Sequence, residues 1–181
     1  MGYCQSDEIT LLLIDYKKFS SAAFFDYEVQ KMCSIAASMA TMAFNKFFRE
    51  KCRKFTDKKM KNNRFATGKS RNREGLCSMP AVYIPKEEAA NLLYWRQLDA
   101  TRNSIQMVGQ SNFSHKQIYG KSCSQIQDML MQEKNINWND FPTHLKRGSC
   151  CIRKENEEAG RPNWMIDREI PIFKGEGREY I

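Results

Sequence analysis

The chain has 181 residues, 29 Lys and Arg against 21 Asp and Glu, a formal net charge of +8, and 41% hydrophobic residues. That apolar share can build a core, which excludes wholesale disorder. No run approaches the ~20 apolar residues of a membrane-spanning helix; none exceeds four residues, and Leu11-Leu12-Leu13-Ile14 stops at Asp15. Nothing reads as a secretory signal, so a soluble, basic, cytoplasmic protein with no membrane partner is expected.

Seven cysteines are scattered without a Cys-x-x-Cys pair, and the two histidines, His115 and His144, stand apart. Neither structural zinc nor a disulfide framework is expected, and free thiols in a reducing compartment are. Met1-Gly2-Tyr3-Cys4-Gln5-Ser6 fits the myristoylation template. That template fixes few positions, and the residues after it read as strand rather than tether.

In chain order, Ile9–Ile14 reads as a short buried strand led in by Gln5-Ser6-Asp7-Glu8. Starting so close to Met1, it has nothing before it to pair with, and an exposed sheet edge is expected. A long helix follows, about Phe24 to Lys51. Phe25, Val29, Met32, Ala36, Met39, Ala43 and Phe47 form its apolar stripe, and Lys31, Ser34, Ser38, Thr41 and Asn45 a polar one. From Lys51 to Arg73 ten basic residues meet only Asp57, with Gly68 and several Asn breaking any helix. This basic loop, bounded at 51–75, reads equally as an arm contacting a phosphate backbone or as a solvated insertion.

A strand over 76–84 and then Pro85 lead into a second helix, about Lys86 to Gln110. Arg96, Asp99, Asn103, Gln106 and Gln110 run along it at steps of three and four beside Leu92, Leu93, Trp95 and Leu98. Such a mixed stripe reads as the edge of a site or as an ordinary wet face. The last third reads as helical: Ser122 and Gln125 have capping-box spacing, Asn137–Pro142 is a turn, and Lys146-Arg147-Gly148 precedes a short strand, Ser149–Arg153. The tail from Arg161 shows no regular pattern, and there are no internal repeats.

Ser6-Asp7-Glu8 is the most suggestive local feature. An acidic pair at a turn between strands is how palm-type polymerases offer carboxylates to the two magnesium ions of a phosphoryl transfer. The plain alternative is a cap or a wet turn. No Walker A sequence, no Gly-x-Gly-x-x-Gly and no nucleophilic triad occur, so phosphate handling would rest on Lys and Arg.

Together, Tyr3-Cys4-Gln5-Ser6-Asp7-Glu8-Ile9, the Lys31/Ser34/Ser38 helix, Trp95-Arg96-Gln97-Leu98-Asp99-Ala100-Thr101-Arg102-Asn103-Ser104 and Asn135-Ile136-Asn137-Trp138-Asn139-Asp140 resemble the tRNA-His guanylyltransferase family. The closer likeness is to its guanylyltransferase-like branch of bacteria and phages. The resemblance implies an α/β, palm-like (ferredoxin-type) catalytic domain over 1–112 and a helical, tRNA-contacting C-terminal subdomain over 113–181. It implies 3′–5′ nucleotide addition at tRNA 5′ ends, a two-ion Mg²⁺ site, and ATP and GTP as substrates. Asp7 would bind metal, with Glu8 adjacent as a catalytic carboxylate. Ser6, Lys31 and Asn103 would lie at the nucleotide, and Arg96, Lys146 and Arg147 would face tRNA.

The departures are equally specific. The family's leading strand with an Arg-x-Asp-Gly segment, which carries the other metal carboxylate, has no counterpart here. Its Phe-Asp-x-Arg strand falls on Cys77-Ser78-Met79-Pro80, and the His of its His-Ile-Asn-Asn motif is Thr101. The palm is therefore expected to be incomplete, needing an N-terminal segment or a second copy. Three readings stay open: part of a working enzyme, a non-catalytic tRNA-binding module, or an eroded fragment.

Overall fold

The computed structural model describes residues 1–16, 19–62, 75–154 and 162–181, with only the backbone for 55–62. The chain forms two compact units, Met1–Leu13 with Ile84–Ile181, and Ile14–Tyr83. No helix among the described residues is long and apolar enough to cross a membrane.

The first unit is built on a four-stranded antiparallel sheet of order β2-β1-β3-β4, with β1 at Gly2–Gln5, β2 at Glu8–Leu11, β3 at Ser149–Lys154 and β4 at Asn163–Asp167. The first strand corrects the expectation that the Ile9 strand has nothing before it. Gly2–Gln5 pairs with it as a hairpin, Gln5 opposite Glu8 and Gly2 opposite Leu11. Pairing ends where Leu12 N–H donates to Met1 O at 2.9 Å, so the strand stops short of Ile14. The tail is also more regular than its sequence suggests. β4 lies at the sheet edge, where residues on both faces stay largely exposed, so no alternation marks it.

Helix α2 (Ala89–Asn112), entered through a 3₁₀ turn at Lys86–Glu88, covers one face of the sheet. Tyr3, Leu93, Cys150, Ile170 and Phe173 are almost wholly buried between them. Each large apolar side chain placed there contributes about 1.5–3 kcal/mol of transfer free energy. Gln97, 2% exposed, fastens the tail to α2: its amide donates to Pro171 O at 2.9 Å, and its carbonyl accepts from Phe173 N–H at 3.0 Å.

Helices α3 (His115–Ile118), α4 (Cys123–Lys134) and α5 (Thr143–Arg147) complete the unit. The Ser122/Gln125 capping box is formed at the start of α4. Ile105, Phe113, Ile118, Ile126 and Leu130 make a second core cluster. Gly109 allows the close approach of α2 and α4, since a Cβ there would sit 2.7 Å from Ile126 Cγ2.

The second unit is dominated by helix α1, Val29–Asn62, preceded by a 3₁₀ turn at Phe24–Tyr27. The helix thus runs on through 51–62, where a basic loop was expected; Lys, Arg and Met sustain a helix well despite their charge. Residues 63–74 of that loop lie outside the described residues. The strand expected over 76–84 is irregular chain instead. Its backbone bonds go to α1 rather than to a sheet: Asn45 exchanges two hydrogen bonds with Gly75, at 2.8 and 3.0 Å, and Cys77 N–H donates to Thr41 Oγ1 at 3.0 Å. Part of the polar stripe of α1 therefore serves as a docking strip for the returning chain.

Candidate functional site

The β1–β2 hairpin closes with a two-residue loop, Ser6-Asp7. Ser6 has φ of 48°, the left-handed region, at the first loop position, where such hairpins favour glycine. Both loop residues are exposed, and Asp7 makes no hydrogen bond or ion pair among the described residues. Beneath the loop, the alternation of β1 puts Tyr3 and Gln5 on the buried face.

Gln5, 5% exposed, donates from Nε2 to Glu8 Oε2 at 2.8 Å across the loop. The same carboxylate oxygen meets Arg96 Nη2 of α2 at 3.0 Å. Arg96 Nη2 also reaches Asp99 Oδ2 at 3.1 Å, and Asn103 Nδ2 donates to that oxygen at 3.2 Å. Arg96 stacks on Trp95, 4.7 Å from the ring centroid. The polar stripe of α2 is thus continuous with the hairpin through Arg96, Asp99 and Asn103.

A cavity of about 280 Å³ opens beside this line, with Ser6, Gln5, Asn103, Met107, Phe141 and His144 in its wall. Gln5 Oε1 and His144 Nδ1 are buried without a hydrogen-bond partner among the described residues. Neither residue stood out in the sequence as part of a site. Gln5 could have been found from its place two residues after buried Tyr3; for His144 the chain offers no signal, because its neighbours come from three separate elements.

Of the other residues picked from sequence, Lys146 donates to Asn139 O at 2.6 Å and lies 5.6 Å from the Trp138 ring centroid. The Arg147 carbonyl accepts from Tyr3 Oη. Both lie at the end of α5, next to Gly148, whose φ of 88° and closeness to Cys4 O leave no room for a side chain. Lys31 belongs to the second unit, where its ammonium is 3.5 Å from Glu28 and 5.7 Å from the Phe25 ring centroid. Burial shapes two groups of the sheet: the Tyr3 phenol is pushed well above its ordinary value, and the Cys150 thiol up to about 12, aided by nearby Asp167.

No group of three or more His, Cys, Asp or Glu able to hold a metal occurs among the described residues. Glu8 and Asp99, the carboxylates nearest the loop in the network, are already paired with Arg96, which leaves Asp7 as the uncommitted one.

Comparisons with known proteins bear on this arrangement. No family model matches the sequence. An uncharacterized protein of Acanthamoeba polyphaga mimivirus is 28% identical over 185 residues, spanning 95% of this chain and 61% of that protein. A bacterial tRNA-His guanylyltransferase-like protein solved in complex with ATP superposes with a TM-score of 0.82 at 40% identity, covering 99% of this chain and 68% of that one. One solved in complex with GTP gives 0.73 at 35% identity, over 99% and 66%. The chain thus spans about two thirds of the length of these structures, and less of the viral relative.

Proposed function

This chain belongs to the tRNA-His guanylyltransferase-like family, and from that premise we propose that it acts in 3′–5′ nucleotide addition at tRNA 5′ ends, as a nucleotidyltransferase using ATP and GTP. The observation that carries the reading is the Ser6-Asp7-Glu8 turn. It stands at the tip of a palm-type hairpin, beside a cavity, in a chain alike over nearly its whole length to nucleotide-bound relatives.

In this reading Ser6 and Asp7 face the nucleotide, with Asn103 at the cavity wall. The resemblance alone gives Lys31 the task of offsetting triphosphate charge, one suited to a compact ammonium. Lys146 and Arg147 contact the tRNA backbone; Lys146 has three donors, of which the Asn139 carbonyl takes one. Asp7 would give a magnesium site one carboxylate; Glu8 and Asp99 are paired with Arg96, so a second copy of the chain or a further segment is the proposed source of the other.

The test is incubation of the chain with a 5′-truncated tRNA, Mg²⁺, ATP and labelled GTP. Label at the tRNA 5′ end, lost in Asp7→Ala, is expected. One other reading is a non-catalytic tRNA-binding module, favoured by Cys77-Ser78-Met79-Pro80 standing where the family has its Phe-Asp-x-Arg strand. It would be marked by salt-sensitive tRNA binding with no affinity for ATP or GTP.

A further inference from the structure

We propose that Arg96 is a positioning residue, which ties the Ser6-Asp7 loop to helix α2 through Glu8 and so fixes the direction in which Asp7 is presented. The inference rests on the nucleotide reading for its consequence, though not for its geometry.

Charge decides between this role and the contact with tRNA that the sequence suggests. A residue that binds phosphate must offer positive potential. Arg96 meets two carboxylates at 3.0 and 3.1 Å, so one positive charge faces two negative ones and the cluster is net anionic. Exposed Asp7 adds a further negative charge beside it. The Arg96 side chain is only 21% exposed and its Nε is buried, so little of the guanidinium remains to approach RNA. A polyanion would be repelled at this place.

The loop, in turn, needs an anchor. It has two residues, and Ser6 sits at a φ of 48°, where a side chain costs roughly 1–2 kcal/mol. Its stem is held by Gln5 to Glu8 on one side and Glu8 to Arg96 on the other. Arg96 is fixed by Asp99 and by the face of Trp95, and Asp99 by Asn103. The chain of contacts thus runs from the loop into a long helix, the rigid element a presented carboxylate requires. Asn103 and Ser6 also share the cavity wall, so tilting the loop would change the shape of that cavity.

The test compares the full chain with Arg96→Ala, Arg96→Lys, Glu8→Gln and the Arg96→Ala/Glu8→Gln double variant. Hydrogen–deuterium exchange of the 5–10 peptide and titration with ATP are both measured. We expect Arg96→Ala and Glu8→Gln each to speed exchange at the loop and weaken ATP binding by about tenfold, the value of one charge-assisted hydrogen bond. The double variant should do no worse than either single one, because both remove the same link, and Arg96→Lys should recover part of both effects.

A tRNA-contacting arginine would behave otherwise: loop exchange and ATP affinity would stay unchanged in Arg96→Ala while tRNA binding fell, which overturns the proposal. If Arg96→Ala does not fold, Glu8→Gln carries the same test. If the unmodified chain binds no ATP, the functional reading fails, while loop exchange still decides whether Arg96 holds the turn.

Discussion

Replacing Gln97 with Leu tests the account of how the chain's end is held to α2. The side chain is 2% exposed and bonds two backbone groups of one segment, Pro171 O at 2.9 Å and Phe173 N–H at 3.0 Å. Leucine conserves size and removes both partners at once. The two bonds account for roughly 1 kcal/mol each, and a stranded buried amide adds about 1–3 kcal/mol. The extra apolar burial of leucine offsets part of this, leaving a loss of about 3 kcal/mol. Phe173 packs edge-on against Tyr3 at 5.8 Å between centroids, so the damage should spread to the sheet core. Urea unfolding followed by tryptophan fluorescence is a fitting assay, because Trp95, Trp138 and Trp164 all lie in the unit concerned. With an m-value of about 2 kcal/mol/M, the midpoint should fall by roughly 1.5 M at unchanged slope. A fall below about 0.3 M would refute the reasoning, since it would mean that the tail is not fastened through this residue.

Gly148→Ala should cost roughly 2–4 kcal/mol by the same assay. Its φ of 88° disfavours a side chain, and the new Cβ would lie 2.4 Å from Cys4 O; a cost under about 1 kcal/mol would show that the backbone yields easily there. Ser6→Gly should leave stability unchanged or raise it by up to about 1 kcal/mol, because glycine relieves the left-handed strain. A clear loss of stability would mean that the Ser6 side chain holds the loop. The buried Cys150 thiol is raised from 9.0 to about 12 in the folded protein. A raised folded value gives stability that is fully present below pH 9 and lost as pH climbs towards 12. Melting temperatures across that range should fall less steeply for Cys150→Ala than for the unmodified chain, and equal slopes would speak against burial as the cause.

Helix α2 was legible because its start, its apolar face and its polar stripe all agree with one period, and the Ser122/Gln125 cap marked α4 in the same way. The Ser-Asp-Glu turn was legible as chemistry, whereas its place at a hairpin tip emerged only with the pairing of β1 and β2. Strand β1 escaped because four residues beginning at Gly2 are too few to display alternation. Strand β4 escaped because an edge with both faces largely exposed has no apolar face to betray it. The polar stripe on α1 was legible as polar, but not that Thr41 and Asn45 are occupied by the backbone at 75–77. Arg96 shows the limit most clearly. A cation in a family motif suggests RNA, and only the folded chain brings Glu8 of the hairpin onto the same guanidinium as Asp99.

Labelled-nucleotide addition to a 5′-truncated tRNA, in the presence of Mg²⁺ and ATP, tests the central claim most directly when the chain and its Asp7→Ala variant are run side by side. The account predicts label at the tRNA 5′ end with the unmodified chain and its loss in the variant. No label with either protein, or equal label with both, would contradict the claim that the Ser6-Asp7 turn serves nucleotide addition.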